Sequence, residues 1–480
     1  MFTYGGYLGM IKFGTSGFRA VIGEDYTKEN VQRIAYGVCE YAKAHKIKNG
    51  KVVVGFDNRF MSEMFAKWAI EVLATTFTIK FFVNPVHTPL VSFETKDCDF
   101  GIMITSSHNP YYFNGVKIFG RGAYECTDDI TTEIAQYANA VEYSEIKKLD
   151  YNSALEQGKV EKSVDYENYK KSLFTFVDAT KIQNSKCKIL INTMHGSACE
   201  IIKEILNEIG LKRVDYMCDD IDPYFDHSSP MPSESNMQEQ SKLVVEGKYD
   251  FGFAFDGDGD RFSYIDKDGT YYDCSFVAPI IFDYLVGEKQ MQGAFVKNYA
   301  FTNLSRKIAD KYNQQVIEAK VGFKSIGDVF AKHDCLMGSE TNGLALNGHI
   351  TSKDGVIAAL LLLEILSQKG KSFGELLKEK QQEFNFVSVV LEKPFKIDEN
   401  KRKEIDEITH NIEKFPKALG EYKVESYVYE EGLKLIFANG YWCMIRLSGT
   451  EPAVRIFAEM PDHEQCEICI EKMKNYFKIN

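Results

Sequence analysis

Residues 251–262 read FGFAFDGDGDRF. From Phe251 to Phe255 aromatic residues alternate with small ones, which predicts a β-strand. Asp256, Asp258 and Asp260 follow, with one glycine in each gap. In an extended segment alternate residues point the same way, so the three carboxylates aim at one place. Gly257 and Gly259 remove side-chain bulk and admit unusual backbone angles. The negative charges repel one another, and a hard divalent cation, Mg²⁺ or Mn²⁺, would offset that repulsion. Strands of α/β sheets present their sites at their C-terminal ends, so the stretch predicts a metal site on an α/β domain. Arg261 follows at once and is a candidate to hold an anionic ligand beside the metal. A calcium-binding EF-hand loop does not fit, because Arg261 stands where that loop needs glycine and Lys267 where it needs glutamate. A solvated acidic turn is the remaining alternative.

Working outward, three segments share one local pattern of short apolar strand, polar turn and amphipathic helix. KVVVGFDNRF starts at Lys51, KCKILINTMHG at Lys186 and GAFVKNYAF at Gly293, each leading into a helical pattern. The pattern predicts a weak internal repeat of α/β units around buried sheets. The last hundred residues differ: FNFVSVVLEKPF, KVESYVYEEGLKLIF, GYWCMIRLSG and AVRIFAEM predict antiparallel strands, with helical patterns at KRKEIDEITHNIEKF and the C-terminus. The expected fold class is therefore α/β: three related α/β domains with mixed sheets plus a C-terminal α+β domain. The boundaries are expected at 1–146, 147–266, 267–384 and 385–480.

The composition supports this. A chain of 480 residues suits three or four domains, and 44% hydrophobic with 26% charged residues is ordinary for a globular protein. The net charge of −12 argues against a nucleic-acid or anionic membrane partner, while a local basic pocket would still admit a small anion. The first residues lack the basic segment and apolar core of a secretory leader. The longest apolar run, AALLLLEILS, is broken by Glu364 and is too short to span a bilayer. Eleven scattered cysteines fit reduced thiols in a cytoplasmic protein. Cys466 and Cys469 form a CxxC without a second pair, which predicts packing rather than zinc.

Three further stretches carry chemistry. In DFGIMITSSHNPYYFNGVK the strand-like FGIMI stops at Thr105, and Ser106, Ser107, His108, Asn109 and Pro110 follow. These residues suit a nucleophile at a strand end, and equally an ordinary turn; no G-x-S-x-G elbow occurs here. In RLSGTEPAVR, Arg446, Ser448, Thr450 and Arg455 surround Gly449, a set suited to phosphate or to a β-turn with surface arginines. It is not a Walker A loop. In GSETNGLALNGHITSKDG, Glu340 and Asn342 flank a tight turn and suit sugar hydroxyls, Lys353 suits an anion, and a plain loop is the alternative.

Together these stretches resemble the α-D-phosphohexomutase family over nearly the whole chain. KFGTSGFRA resembles its N-terminal loop, TSSHNP its phosphoserine loop, DGDGDR its metal loop, GSETNG its sugar loop and RLSGTEP its phosphate loop, in the family's order. The sequence departs from the family pattern at Lys12, Ala20 and Asn342, while GHITSKDG resembles the phosphoglucomutase branch. The resemblance implies four domains around a central cleft. It also implies a phosphosugar mutase that moves phosphate between O1 and O6 of a hexose through a phosphoserine and a bisphosphorylated intermediate. Glucose phosphate is the expected substrate, with mannose, glucosamine or pentose phosphate as alternatives. A metal-dependent sugar phosphatase and a non-catalytic sugar-phosphate binder are the other classes.

By position, the resemblance makes Ser107 the phosphorylated residue and a ligand, with Asp256, Asp258 and Asp260, of one Mg²⁺ per chain. It puts His108, Lys117 and Arg19 beside the transferring group, with Lys117 the candidate base. Glu340 and Asn342 would face the sugar. Arg446, Ser448, Gly449 and Thr450 would grip the distal phosphate with Arg455 nearby, and Arg261, Lys324 and Lys353 are further substrate-binding candidates. A bisphosphorylated sugar is the expected activator, and the assembly a monomer or homodimer.

Overall fold

The computed structural model describes residues 9–14, 16–47, 50–448 and 452–479. Two compact units result, Met1–Asp273 with Asn342–Gly370, and Cys274–Thr341 with Lys371–Asn480.

The first unit holds two mixed sheets. At the centre of the larger lies Lys51–Phe56, flanked in parallel by Thr78–Phe82 and Phe100–Ile104. Its VVV run is buried throughout, as a strand covered on both faces requires. Phe113–Gly120 runs antiparallel to Phe100–Ile104, and Phe18–Val21 antiparallel to Phe113–Gly120. Helix Lys28–Ala44 starts at Thr27, whose side chain accepts from the backbone N–H of Asn30, and buries Val31, Ile34, Ala35, Val38 and Ala42. In the smaller sheet Ile189–Asn192 lies parallel to both Phe251–Phe255 and Val214–Met217, with Phe262–Asp266 antiparallel to Phe251–Phe255.

The second unit contains three parallel strands, with Ala294–Asn298 between Val316–Ala319 and Cys335–Glu340. It also contains an antiparallel sheet ordered Val389–Lys396, Ala453–Met460, Trp442–Leu447, Leu433–Ile436 and Ser426–Val428. Helix His463–Tyr476 packs on that sheet, and Cys466 and Cys469 are fully buried in the shared core. All eleven cysteines are free. No helix among the described residues is long and apolar enough to cross a membrane.

The compact units cut across the segment expected at 267–384. Helix Gly355–Lys369 belongs to the first unit because it is apolar on nearly every side and packs on Phe262–Asp266 and Ala179–Gln183. Its N-cap, Asp354, is fully buried and accepts from the backbone N–H groups of Val356 (2.8 Å) and Ile357 (3.2 Å) and from the Tyr169 hydroxyl (2.8 Å). His349 Nε2 lies 2.9 Å from the same carboxylate. Asp354→Ala removes the cap and strands several buried donors, so it is expected to destabilise the first unit by about 3 kcal/mol. Urea unfolding monitored by hydrogen exchange across residues 342–370 measures this.

Candidate active site

The candidate site of the first unit is built from strand ends. Phe100–Ile104 runs out into Thr105, Ser106 and Ser107, and Phe251–Phe255 into the aspartate loop. Ser107 has a left-handed backbone, φ 53°, and its N–H donates to Thr105 Oγ1 (2.8 Å). Its hydroxyl donates to Asp256 Oδ2 (2.7 Å) and lies 3.3 Å from His108 Nδ1. Gly257 is required by close approach: a Cβ there would sit 2.7 Å from the Ser107 carbonyl oxygen. Gly259 is required by its φ of 71°.

Asp256, Asp258 and Asp260 offer oxygens that all lie within 4.8 Å of one another, and all three residues are buried. Lys117, on strand Phe113–Gly120, is 1% exposed and donates to Asp258 Oδ2 (2.7 Å) and Asp260 Oδ2 (2.6 Å). Thr88 Oγ1 donates to Asp258 Oδ2 (2.5 Å) and the Arg261 N–H to Asp256 Oδ1 (3.1 Å). Lys353 Nζ stands 3.8 Å from Asp260 Oδ1. Asp258 Oδ1 and Asp260 Oδ1 are buried and accept no hydrogen bond among the described residues. Two such oxygens beside a third carboxylate make a hard, all-oxygen donor set that fits a divalent cation.

The electrostatics follow from burial and neighbours. Burial, with the charges of Asp258 and Asp260, pushes the Asp256 carboxyl up to about 8. Burial also raises Asp258 and Asp260, and the charge of Asp260 raises Asp258 further. Lys117, with the Thr88 hydroxyl at Asp258 and with Lys353 and Arg261 at Asp260, more than offsets this, and both lie below the usual carboxylate range. Burial pulls Lys117 down, and its two aspartates more than reverse this, so it is held protonated above the ordinary lysine range. To act as the expected base, Lys117 would first have to lose this proton. Burial, then the charges of Arg261, Arg19 and Lys353, hold the His108 ring well below the usual histidine range, hence neutral. Arg19, on strand Phe18–Val21, donates to Asn109 Oδ1 (3.2 Å) of the serine loop.

Asn342 is in the first unit, where its carbonyl accepts from the Phe262 N–H (3.4 Å). In the second unit, Glu340 ends strand Cys335–Glu340 and Lys324 lies in helix Phe323–Phe330. Arg446 and Arg455 face each other across the antiparallel pair Trp442–Leu447 and Ala453–Met460. Like charges directly opposite are unfavourable, and each guanidinium has a carboxylate: Arg446 Nε donates to Glu431 Oε1 (2.8 Å), Arg455 Nη1 to Glu392 Oε1 (2.7 Å). Ser448 is buried, its N–H donating to the Ala453 carbonyl (2.9 Å). Gly449 and Thr450 lie outside the described residues.

Sequence reasoning missed Thr88, and also Asp57 and Arg59, which follow strand Lys51–Phe56. The rule that singled out the aspartate loop, polar residues just past a strand's C-terminal end, also picks out FDNR.

Known families match this chain in four consecutive pieces. They are the phosphoglucomutase/phosphomannomutase alpha/beta/alpha domain I at residues 10–145, domain II at 167–269, domain III at 275–384 and the C-terminal domain at 394–475. The chain belongs to the phosphoglucomutase/phosphomannomutase family. The family has a four-domain α/β architecture with mixed sheets, and its members are isomerases that move phosphate within a sugar. Among curated relatives, a phosphoglucomutase/phosphomannomutase of Thermococcus kodakarensis is 28% identical, covering 96% of each chain. A phosphoglucosamine mutase of Dictyoglomus turgidum is 27% identical, covering 93% of each. A crystal structure of a candidate phosphomannomutase from Thermus thermophilus is 25% identical, with a TM-score of 0.84 over 98% of this chain and 99% of that one.

The raised Asp256 pKa has a sign that can be tested. A carboxyl raised above its unfolded value, about 4, costs stability as pH rises through the folded value, and the full cost is present above pH 8. In metal-free protein above that pH, Asp256→Asn is therefore expected to melt higher than wild type. Added Mg²⁺ should reverse the order, because only wild type gains a bound ion. Calorimetry with EDTA and with Mg²⁺ measures both.

Proposed function

We propose that this chain is a phosphosugar mutase that exchanges phosphate between O1 and O6 of a hexose, with glucose 1-phosphate and glucose 6-phosphate as the leading pair. One observation carries the reading: the Ser107 hydroxyl lies 2.7 Å from Asp256 Oδ2, at the head of three clustered carboxylates. A hydroxyl so placed, with Arg19 and Lys117 close by, suits a phosphoryl carrier.

In the first half-reaction the bond between phosphorus and Ser107 Oγ breaks and a bond from phosphorus to the sugar hydroxyl oxygen forms. The sugar hydroxyl gives up its proton and Ser107 regains one. In the second, the reoriented bisphosphorylated sugar returns its other phosphoryl group to Ser107 and takes back a proton at the oxygen released. The Ser107 proton has two acceptors in reach, Asp256 Oδ2 and Nδ1 of the neutral His108. Lys117, protonated, is assigned with Arg19 to offsetting charge on the phosphoryl oxygens. Asp256, Asp258 and Asp260, with an oxygen of the Ser107 phosphate, would hold Mg²⁺, which supplies positive charge to the transferring group. A crystal structure of Aspergillus fumigatus N-acetylphosphoglucosamine mutase in complex with GlcNAc-6P and magnesium supports that choice of ion. Arg446, Ser448, Gly449 and Thr450 are assigned to the phosphate that is not reacting, and Glu340 and Asn342 to sugar hydroxyls. Arg261, Lys324, Lys353 and Arg455 are assigned to further substrate contacts.

Glucosamine phosphate is the second reading. Several relatives bear the name phosphoglucosamine mutase, and Asn342 departs from the pattern of the sugar loop. Initial rates with the 1-phosphates of glucose, glucosamine and mannose, primed with bisphosphate, decide between them. Release of free phosphate as fast as isomerisation would instead make the chain a phosphatase.

Two variants test the mechanism. Ser107→Ala is expected to abolish turnover and to lose the phosphoryl group, about 80 Da, that intact mass finds on wild type. Arg446→Ala is expected to lower kcat/KM about a hundredfold, or ~3 kcal/mol, in both directions. It should also release bisphosphorylated sugar, because one clamp serves both orientations.

A further inference from the structure

Arg59 is 3% exposed, yet it carries a full charge. Its Nη2 donates to the carbonyl oxygens of Ser107 and Asn109, each at 2.6 Å. Its Nη1 donates to those of Pro110 (3.0 Å) and Phe113 (3.2 Å). Nε stands 3.3 Å from Asp57 Oδ2, and the guanidinium lies 4.9 Å from the centre of the Phe225 ring. Asp57 is in turn fixed by the Arg59 N–H (3.0 Å) and the Ser62 hydroxyl (2.8 Å). One side chain thus holds four carbonyls of the seven-residue segment 107–113.

A buried ion pair is a poor way to gain stability, because apolar residues of the same volume usually do as well. What the guanidinium offers is geometry: a planar fork with fixed donor directions. Ser107 needs such a constraint, since its left-handed backbone is costly for a residue with a side chain. Holding the Ser107 carbonyl fixes the peptide plane that follows, and with it the direction of the Cα–Cβ bond that aims the hydroxyl at Asp256. Arg59 does not touch that hydroxyl.

We infer that Arg59 is a positioning residue, which holds the serine loop so that the Ser107 hydroxyl stays aligned for phosphoryl transfer. The inference rests on the mutase reading above. Lysine at this place would keep the charge and lose the fork.

Two variants test it: Arg59→Lys, and the double variant Asp57→Asn with Arg59→Gln, which removes both charges together. Wild type and each variant are first dephosphorylated, then incubated with glucose 1,6-bisphosphate, and the phosphoryl load on Ser107 is followed by intact mass. Melting temperature, stabilisation by Mg²⁺, kcat and KM are measured alongside. Positioning predicts that the rate of Ser107 loading and kcat fall by about tenfold or more, with KM within about twofold of wild type and stabilisation by Mg²⁺ retained. Wild-type loading rates in Arg59→Lys, or in the folded double variant, would overturn the inference. So would failure of both variants to fold, which would make Arg59 a folding residue only. Wild-type protein that takes no phosphate on Ser107 would instead overturn the mutase reading.

Discussion

Asp256, Asp258 and Asp260 are buried, with oxygens within 4.8 Å of one another. At an effective dielectric constant of about 20, each such pair, if both were charged, would repel by at least about 3.5 kcal/mol. The surrounding groups of the first unit answer that repulsion. Lys117 reaches from the neighbouring sheet to two of the three, Thr88 donates to one, and the Arg261 N–H to the third. The protein's own charges do not satisfy every oxygen, since Asp258 Oδ1 and Asp260 Oδ1 accept nothing among the described residues. The cluster is thus strained alone and relieved by a cation, which is why metal affinity and stability are coupled here.

The same crowding holds Ser107 in place. The Ser107 carbonyl is pinned by Arg59 on one side and packs against Gly257 on the other, so the serine and the aspartate loop are in direct contact. Catalysis of phosphoryl transfer depends mostly on such prearrangement, because the loose transition state leaves little covalent work for side chains. A neutral His108 and a protonated Lys117 fit this division: one can accept a proton while the other offsets charge.

The parts of this site that were legible in the sequence are local. The aspartate spacing, the strand before it and the Ser-His turn each lie within a few residues, and period-two alternation together with glycine placement reveals them. What was not legible depends on contacts far apart in sequence. Thr88 meets Asp258 from 170 positions away, and Arg59 meets Asn109 from 50. The packing partners of the segment 342–370 were hidden for a similar reason. The helix Gly355–Lys369 reads as generically buried, and only distant partners, such as Tyr169 at its N-cap Asp354 and the helix Ala179–Gln183, say which core it joins. The protonation of Lys117 was hidden too, because a lysine's state depends on neighbours the chain reveals only when folded.

The second unit poses the reverse charge problem. Arg446 and Arg455 stand opposite each other, and Glu431 and Glu392 neutralise them one by one. Glu431 is itself held by the Val321 N–H (2.5 Å), so it is a fixed competitor rather than a free side chain. In the role proposed for Arg446, a phosphate would share the guanidinium with that carboxylate, which would lower its net affinity below that of an unpaired arginine. For an enzyme that holds one phosphate throughout, this would be a defect. For a mutase whose intermediate must let go, turn around and be gripped again by its other end, moderate affinity is the requirement. A clamp that bound too tightly would stall between the two half-reactions.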